Sequence, residues 1–136
     1  MFTVKEVMTT DVVTVQRNTP IFEAMKLMAL HDISGLPVVE NDMTLVGVLS
    51  EKDVLALVYH PEYEYMKRVR DFMTEPAFSF QDDASLTSVA AFLMKNVFRR
   101  VPIVSGQKLV GIVSVRDILE HLIRRKFPVC NRLQYR

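Results

Sequence analysis

The chain has 136 residues, 49% hydrophobic and 24% charged, the balance of an ordinary folded globular protein. Seventeen Lys and Arg stand against sixteen Asp and Glu, so the net charge of +1 gives no electrostatic reason to expect nucleic acid or an anionic membrane as partner. A single cysteine, Cys130, rules out an intramolecular disulfide, fits a reducing cytoplasm, and has no His or Asp beside it with which to build a catalytic or metal site.

The first residues, MFTVKEVMTTDVV, lack an apolar signal core, and runs such as Leu45–Leu49 are too short to span a bilayer. The basic residues Arg124, Arg125, Lys126, Arg132 and Arg136 read as a solvated terminal face and tail.

An internal repeat organises the chain. At an offset of 65, Val4–Val39 falls on Val69–Val104; after one residue is lost in a turn, Leu45–Val58 falls on Leu109–Leu122 at an offset of 64. Identical pairs include Val4/Val69, Met8/Met73, Thr9/Thr74, Pro37/Pro102, Gly47/Gly111, Ser50/Ser114 and Asp53/Asp117. They are densest where backbone geometry is demanding, which chance apolar similarity would not select. A half-chain of about 60 residues buries too little surface to be stable alone, so the halves are expected to share an interface.

In chain order, each copy predicts strand, helix, strand, strand, helix. Val12–Val15 and Ala77–Phe80 read as short strands. A helix then opens, with Thr19 as cap and Pro20 in the first turn, or with Asp83 as cap in the second copy. Its apolar face is Ile21, Ala24, Met25 and Met28, or Leu86, Val89, Ala90 and Leu93. Leu36–Val39 and Leu45–Leu49, like Val101–Val104 and Leu109–Val113, read as strands paired across a turn. A second helix follows Ser50 and Ser114, with Val54, Leu55 and Val58, or Ile118, Leu119 and Leu122, on its face. The layout divides the chain into a first repeat at 4–60, a linker at 61–68, a second repeat at 69–126 and a tail at 127–136.

The ordered set Val-Met-Thr, Ile33-Ser34-Gly35-Leu36-Pro37-Val38-Val39 and Gly47-Val48-Leu49-Ser50-x-x-Asp53 resembles a CBS (cystathionine-β-synthase) repeat. The second copy, Phe98-Arg99-Arg100-Val101-Pro102-Ile103-Val104 and Gly111-Ile112-Val113-Ser114-x-x-Asp117, fits equally well. The resemblance covers residues 4 to about 123. It implies an α+β fold of two βαββα repeats packed about a pseudo-twofold axis (a Bateman module), pairing further into a homodimer. It also implies clefts that take AMP, ADP, ATP or S-adenosylmethionine, with no cofactor required.

The residues themselves admit two readings of each Ser-x-x-Asp. At a helix start the unpaired amides and the dipole attract anions, and a Ser hydroxyl can donate to phosphate. The same four residues form a capping box, which satisfies the helix end for about 1 kcal/mol. Recurrence of the motif after Gly favours a ligand, although a tight sheet contact also calls for glycine. The resemblance assigns Asp53 and Asp117 to ribose hydroxyls. Phosphate-binding candidates are Ser50 and Ser114 with the cations Arg99, Arg100, Lys52 and Arg116, whose alternative is solvated surface charge. Ser34 and Gly35 stand where Arg99 and Arg100 do, so the two sites are chemically unequal, and which cleft the arginines serve is open from sequence. The resemblance places the base against Val12, Val13, Thr14, Ala77, Phe78 and Ser79; the alternative is plain core strand. His31, His60 and His121 share no metal-ligand spacing.

With no nucleophile and base, metal cluster or unequal acid/base pair, the expectation is a cytoplasmic sensor module that is not an enzyme and acts on a separate partner. The alternative is a structural dimerisation module with vestigial clefts.

Overall fold

A computed structural model of the chain describes residues 2–127, by backbone alone at 64 and 65. The predicted tail beyond Phe127, with Cys130, Arg132 and Arg136, lies outside the described residues. The elements are α1 (Ile21–His31), β1 (Gly35–Val39), β2 (Leu45–Ser50), α2 (Tyr63–Met66), β3 (Phe80–Gln81), α3 (Leu86–Lys95), β4 (Arg100–Ser105), β5 (Lys108–Ser114) and α4 (Val115–Lys126), with 3₁₀ helices at Val4–Glu6, Glu51–Val58 and Val69–Asp71. The fold is α+β, built twice on one plan. The short α2 falls inside the segment expected to be linker.

β1 and β2 pair antiparallel, Leu36 opposite Leu49 and Val38 opposite Gly47. β3 pairs parallel with β4, which continues to β5. The strands expected at Val12–Val15 and Ala77–Phe80 shrink to a single bridge between Val15 and Val38 and to the two residues of β3. The cause is a proline in each partner. Val15 donates to the Pro37 carbonyl and accepts from Val39 N–H, at 3.1 and 2.9 Å. Extending that ladder toward Val13 needs a Pro37 N–H that does not exist, and Pro102 ends the equivalent ladder before Phe80.

The chain divides into two compact units that do not follow the repeat boundaries: unit one holds the segment up to Val12 with Ser79–Ser105 and the chain from Val110, and unit two holds Val13–Phe78 with Gly106–Leu109. Each repeat is thus entered by a segment that packs on the other. In unit one, Val4 N–H donates to Ala84 O at 3.0 Å and Leu86 N–H to Phe2 O at 2.8 Å; in unit two, Val69 donates to Thr19 O at 2.9 Å and Ile21 to Lys67 O at 3.0 Å. Val4 and Val69 are fully buried.

These exchanged carbonyls correct the expected caps. The first amide of α1 is met by Lys67 O, so the cap position is Pro20, and the Thr19 hydroxyl instead accepts from Gln16 N–H at 3.0 Å. In the second copy the cap is Ser85, which accepts from Ser88 N–H at 3.1 Å, and Asp83 is an exposed bystander.

The predicted faces of α1 and α3 hold: Ile21, Ala24 and Met28 are buried in unit two, and Val89 and Leu93 in unit one. The second-helix faces do not. A 3₁₀ helix repeats every 3.0 residues, so Val54 and Leu57 turn inward while Leu55 and Val58 are exposed. On α4, Ile118 packs on the core but Leu119 and Leu122 stay half exposed.

Candidate ligand site

Both Ser-x-x-Asp motifs fold back on themselves, the carboxylate of each Asp receiving the amide of its Ser, and at Ser114 the full capping box closes. Ser50 N–H donates to Asp53 Oδ2 at 2.8 Å, and Ser114 N–H donates to Asp117 Oδ2 at 2.9 Å. Asp117 N–H in turn donates to Ser114 Oγ at 2.9 Å, which leaves the hydroxyl proton of Ser114 available for a further bond. Neither carboxylate is used up. Asp117 Oδ1 accepts from the Thr9 hydroxyl at 3.2 Å, and the second oxygen of Asp53 accepts nothing among the described residues.

The helix starts are less open to an anion than the sequence suggested. The first amide of α4, Val115 N–H, donates to Arg99 O at 2.8 Å, and Glu51 N–H donates to Ser34 O at 2.9 Å. Attraction of an anion therefore falls to side chains. Arg99 and Arg100 lie in unit one with Ser114, Arg116 and Asp117, and the uncharged Ser34–Gly35 lies in unit two with Ser50, Lys52 and Asp53.

Arg99 and Arg100 make no ion pair or side-chain hydrogen bond among the described residues, and the buried Nε of the half-buried Arg100 has no partner. A buried N–H without an acceptor costs about 1–3 kcal/mol, so this donor lacks an acceptor it would gain from. Other arginines are engaged: Arg17 with Glu75 at 2.9 Å and Glu40 at 3.6 Å, and Arg70 with the Asn18 side chain. The carboxylates of Glu75 and Glu40 raise the already high pKa of Arg17, so it stays charged at every accessible pH. Lys52 and Arg116 are exposed.

The repeated glycines have a packing cause. A Cβ at Gly111 would stand 2.5 Å from Met8 Sδ and 3.0 Å from Thr9 O; one at Gly47 would meet Met73 and stand 2.6 Å from Thr74 O. The backbones bond at the same place, Thr9 with Ile112 at 2.8 and 2.9 Å and Thr74 with Val48 at 3.0 and 2.9 Å. Glycine is therefore required by the close approach of each Met-Thr segment, whatever is bound. Thr9 itself was missed as a site residue; its signal was the Met8-Thr9/Met73-Thr74 identity.

Of the residues assigned to the base, Val12 and Ser79 belong to unit one and Val13, Thr14, Ala77 and Phe78 to unit two. Val13 packs on the core of unit two, and Phe78 is 62% exposed. No group of three or more His, Cys, Asp or Glu that could hold a metal occurs among the described residues. No helix there is long and apolar enough to cross a membrane.

A family profile, CBS domain, matches residues 4–60 and 69–124. An inosine-5′-monophosphate dehydrogenase of Methanocaldococcus jannaschii is 36% identical over 128 residues. The match takes in 93% of this chain and 24% of that enzyme, so the chain spans about a quarter of the relative's length. The crystal structure of CBSX2 in complex with AMP superposes with a TM-score of 0.83 at 31% identity, covering 93% of this chain and 99% of that one. A CBS domain pair of protein MJ0100, in complex with 5′-methylthioadenosine and S-adenosyl-L-methionine, gives 0.77 at 26% identity and covers 92% and 98%.

Proposed function

Since the chain belongs to the CBS domain family, we propose that it is a regulatory module that binds an adenine nucleotide or a related adenosyl compound at its Ser-x-x-Asp sites. It acts on a separate protein and is not an enzyme. The repeats occupy 4–60 and 69–126, the module works in the cytoplasm, and two copies pair as a homodimer.

The observation that carries this reading is in unit one. Asp117 keeps one oxygen in the cap and turns the other to Thr9, while Arg99 and Arg100 lie in the same unit without a counter-charge among the described residues. A 5′-phosphate supplies acceptors for two guanidinium groups, and the ribose hydroxyls supply donors for a carboxylate. AMP in CBSX2, and 5′-methylthioadenosine and S-adenosyl-L-methionine in the MJ0100 pair, support an adenosyl ligand for this chain.

A ligand held by Asp117 competes with or tightens the Thr9 contact, and so biases how the N-terminal segment sits on unit one. By linkage it acts on a partner only through different affinities for two such states. Thermal-shift titration with AMP, ADP, ATP, S-adenosylmethionine and NAD tests this. At least one is expected to raise the midpoint, with the rise lost in Asp117→Ala. A flat response to all five, or an unchanged response in that variant, contradicts it.

A ligand-free dimerisation module is the second reading. It is favoured by the half-exposed stripe Val115, Leu119 and Leu122 on α4 and by a glycine requirement that needs no ligand. It expects a dimer by light scattering that ignores every nucleotide.

A further inference from the structure

We infer that the two Ser-x-x-Asp sites are complementary in charge. The site of unit one takes an adenosine bearing a 5′-phosphate, and the site of unit two takes an adenosine whose 5′ substituent is uncharged or cationic, such as a thioether or sulfonium. This rests on both being adenosyl sites, as proposed above.

The two sites correspond position by position. The carbonyl of Arg99 receives the first amide of α4, and the carbonyl of Ser34 receives the first amide of the 3₁₀ helix Glu51–Val58. Thr9 bridges to Ile112 as Thr74 does to Val48, so Thr10 and Glu75 are also equivalents. At these matched places unit one has Arg99, Arg100, Val115, Arg116 and Thr10 around Asp117, and unit two has Ser34, Gly35, Glu51, Lys52 and Glu75 around Asp53. Arg17 neutralises Glu75 at 2.9 Å. That leaves Arg99 and Arg100 with Asp117 in unit one, where unit two has the uncharged Ser34 and Gly35, and Lys52 between Glu51 and Asp53.

The contrast is built into the backbone of unit two. A Cβ at Gly35 would stand 3.2 Å from Leu49 O, so a side chain matching Arg100 enters only if the strand gives by a few tenths of an ångström. The donor complement differs in the same sense: the orphaned Nε of Arg100 has no counterpart in unit two. A phosphate dianion gains charge-assisted hydrogen bonds in unit one and meets a net negative field in unit two, and a sulfonium meets the reverse.

Amide NMR titration of the whole chain with AMP and, separately, with 5′-methylthioadenosine tests this without a variant. AMP is expected to saturate the amides of Thr9, Arg99 and Ser114 at about tenfold lower concentration than those of Ser34, Ser50 and Thr74, and 5′-methylthioadenosine to show the opposite order. Ser34→Arg is expected to tighten AMP about tenfold at the second set alone. Equal site preference for both probes, or both probes filling unit one first, overturns the inference and leaves the adenosyl reading standing. No shift of either set by either probe overturns both.

Discussion

The Thr9 hydroxyl donates to Asp117 Oδ1 at 3.2 Å across 108 positions of sequence, joining the segment that leads into the first repeat to the helix that closes the second. The carboxylate thereby has two local jobs, capping α4 and receiving Thr9, before any ligand arrives. Thr9→Val removes the donor and keeps the shape. It is expected to leave the fold intact and to change AMP affinity at unit one by a few-fold, as measured calorimetrically, because it frees one oxygen of Asp117.

The glycine requirement makes an unequal prediction for the two copies. Gly111→Ala is expected to cost about 1–3 kcal/mol by urea denaturation. Because Met8, a flexible side chain, is the nearest obstacle, Met8→Ala recovers part of that loss in a double-mutant cycle. Gly47→Ala also strikes the Thr74 carbonyl at 2.6 Å, so trimming Met73 recovers less. Equal rescue in the two copies contradicts this account of the glycines.

Val4 and Val69 are the apolar residues that each exchanged segment buries completely. Val4→Ala and Val69→Ala are each expected to destabilise by about 2 kcal/mol, read from the denaturation midpoint at constant slope. Were these segments loosely attached, the substitutions would cost almost nothing.

Asp42 provides the pH signature. Its carboxylate accepts from Lys108 Nζ at 2.8 Å and from Thr44 N–H at 3.0 Å, and these bonds hold its pKa far below the ordinary 3.8. A lowered folded-state pKa means that the contribution is present above about 3.8 and is lost as pH falls through the folded value. Both groups are exposed, so salt screens the effect. Asp42→Asn is expected to lower the thermal midpoint at neutral pH and low salt, with a difference that shrinks in 1 M salt and on strong acidification.

Much of the fold was legible because the repeat could be aligned and because α1 and α3 follow a 3.6-residue period that their burial respects. The shortened first strands could also have been read, since Pro37 and Pro102 remove the donor each ladder needs. The capping of α1 and α3 could not, because the carbonyls that replace Thr19 and Asp83 come from Lys67 and Phe2, residues of the opposite lead-in segment. The inward turn of Leu57 in place of Leu55 and Val58 depends on the 3₁₀ period, which no local residue announces. At the site, the pairing of Ser with Asp was visible, but the bond between Val115 N–H and Arg99 O, which ties the arginine segment to the start of α4, was not. The ribose role of Asp53 and Asp117 comes from the family resemblance, since the capping boxes alone account for one oxygen of each.

Calorimetric titration of AMP into the wild-type chain and into Arg99→Ala/Arg100→Ala is the most direct trial of phosphate recognition in unit one. Saturable binding in the wild type, weakened about tenfold to a hundredfold when both guanidinium groups are removed, is the predicted result. Identical isotherms for the two proteins, or no heat from either, contradict it.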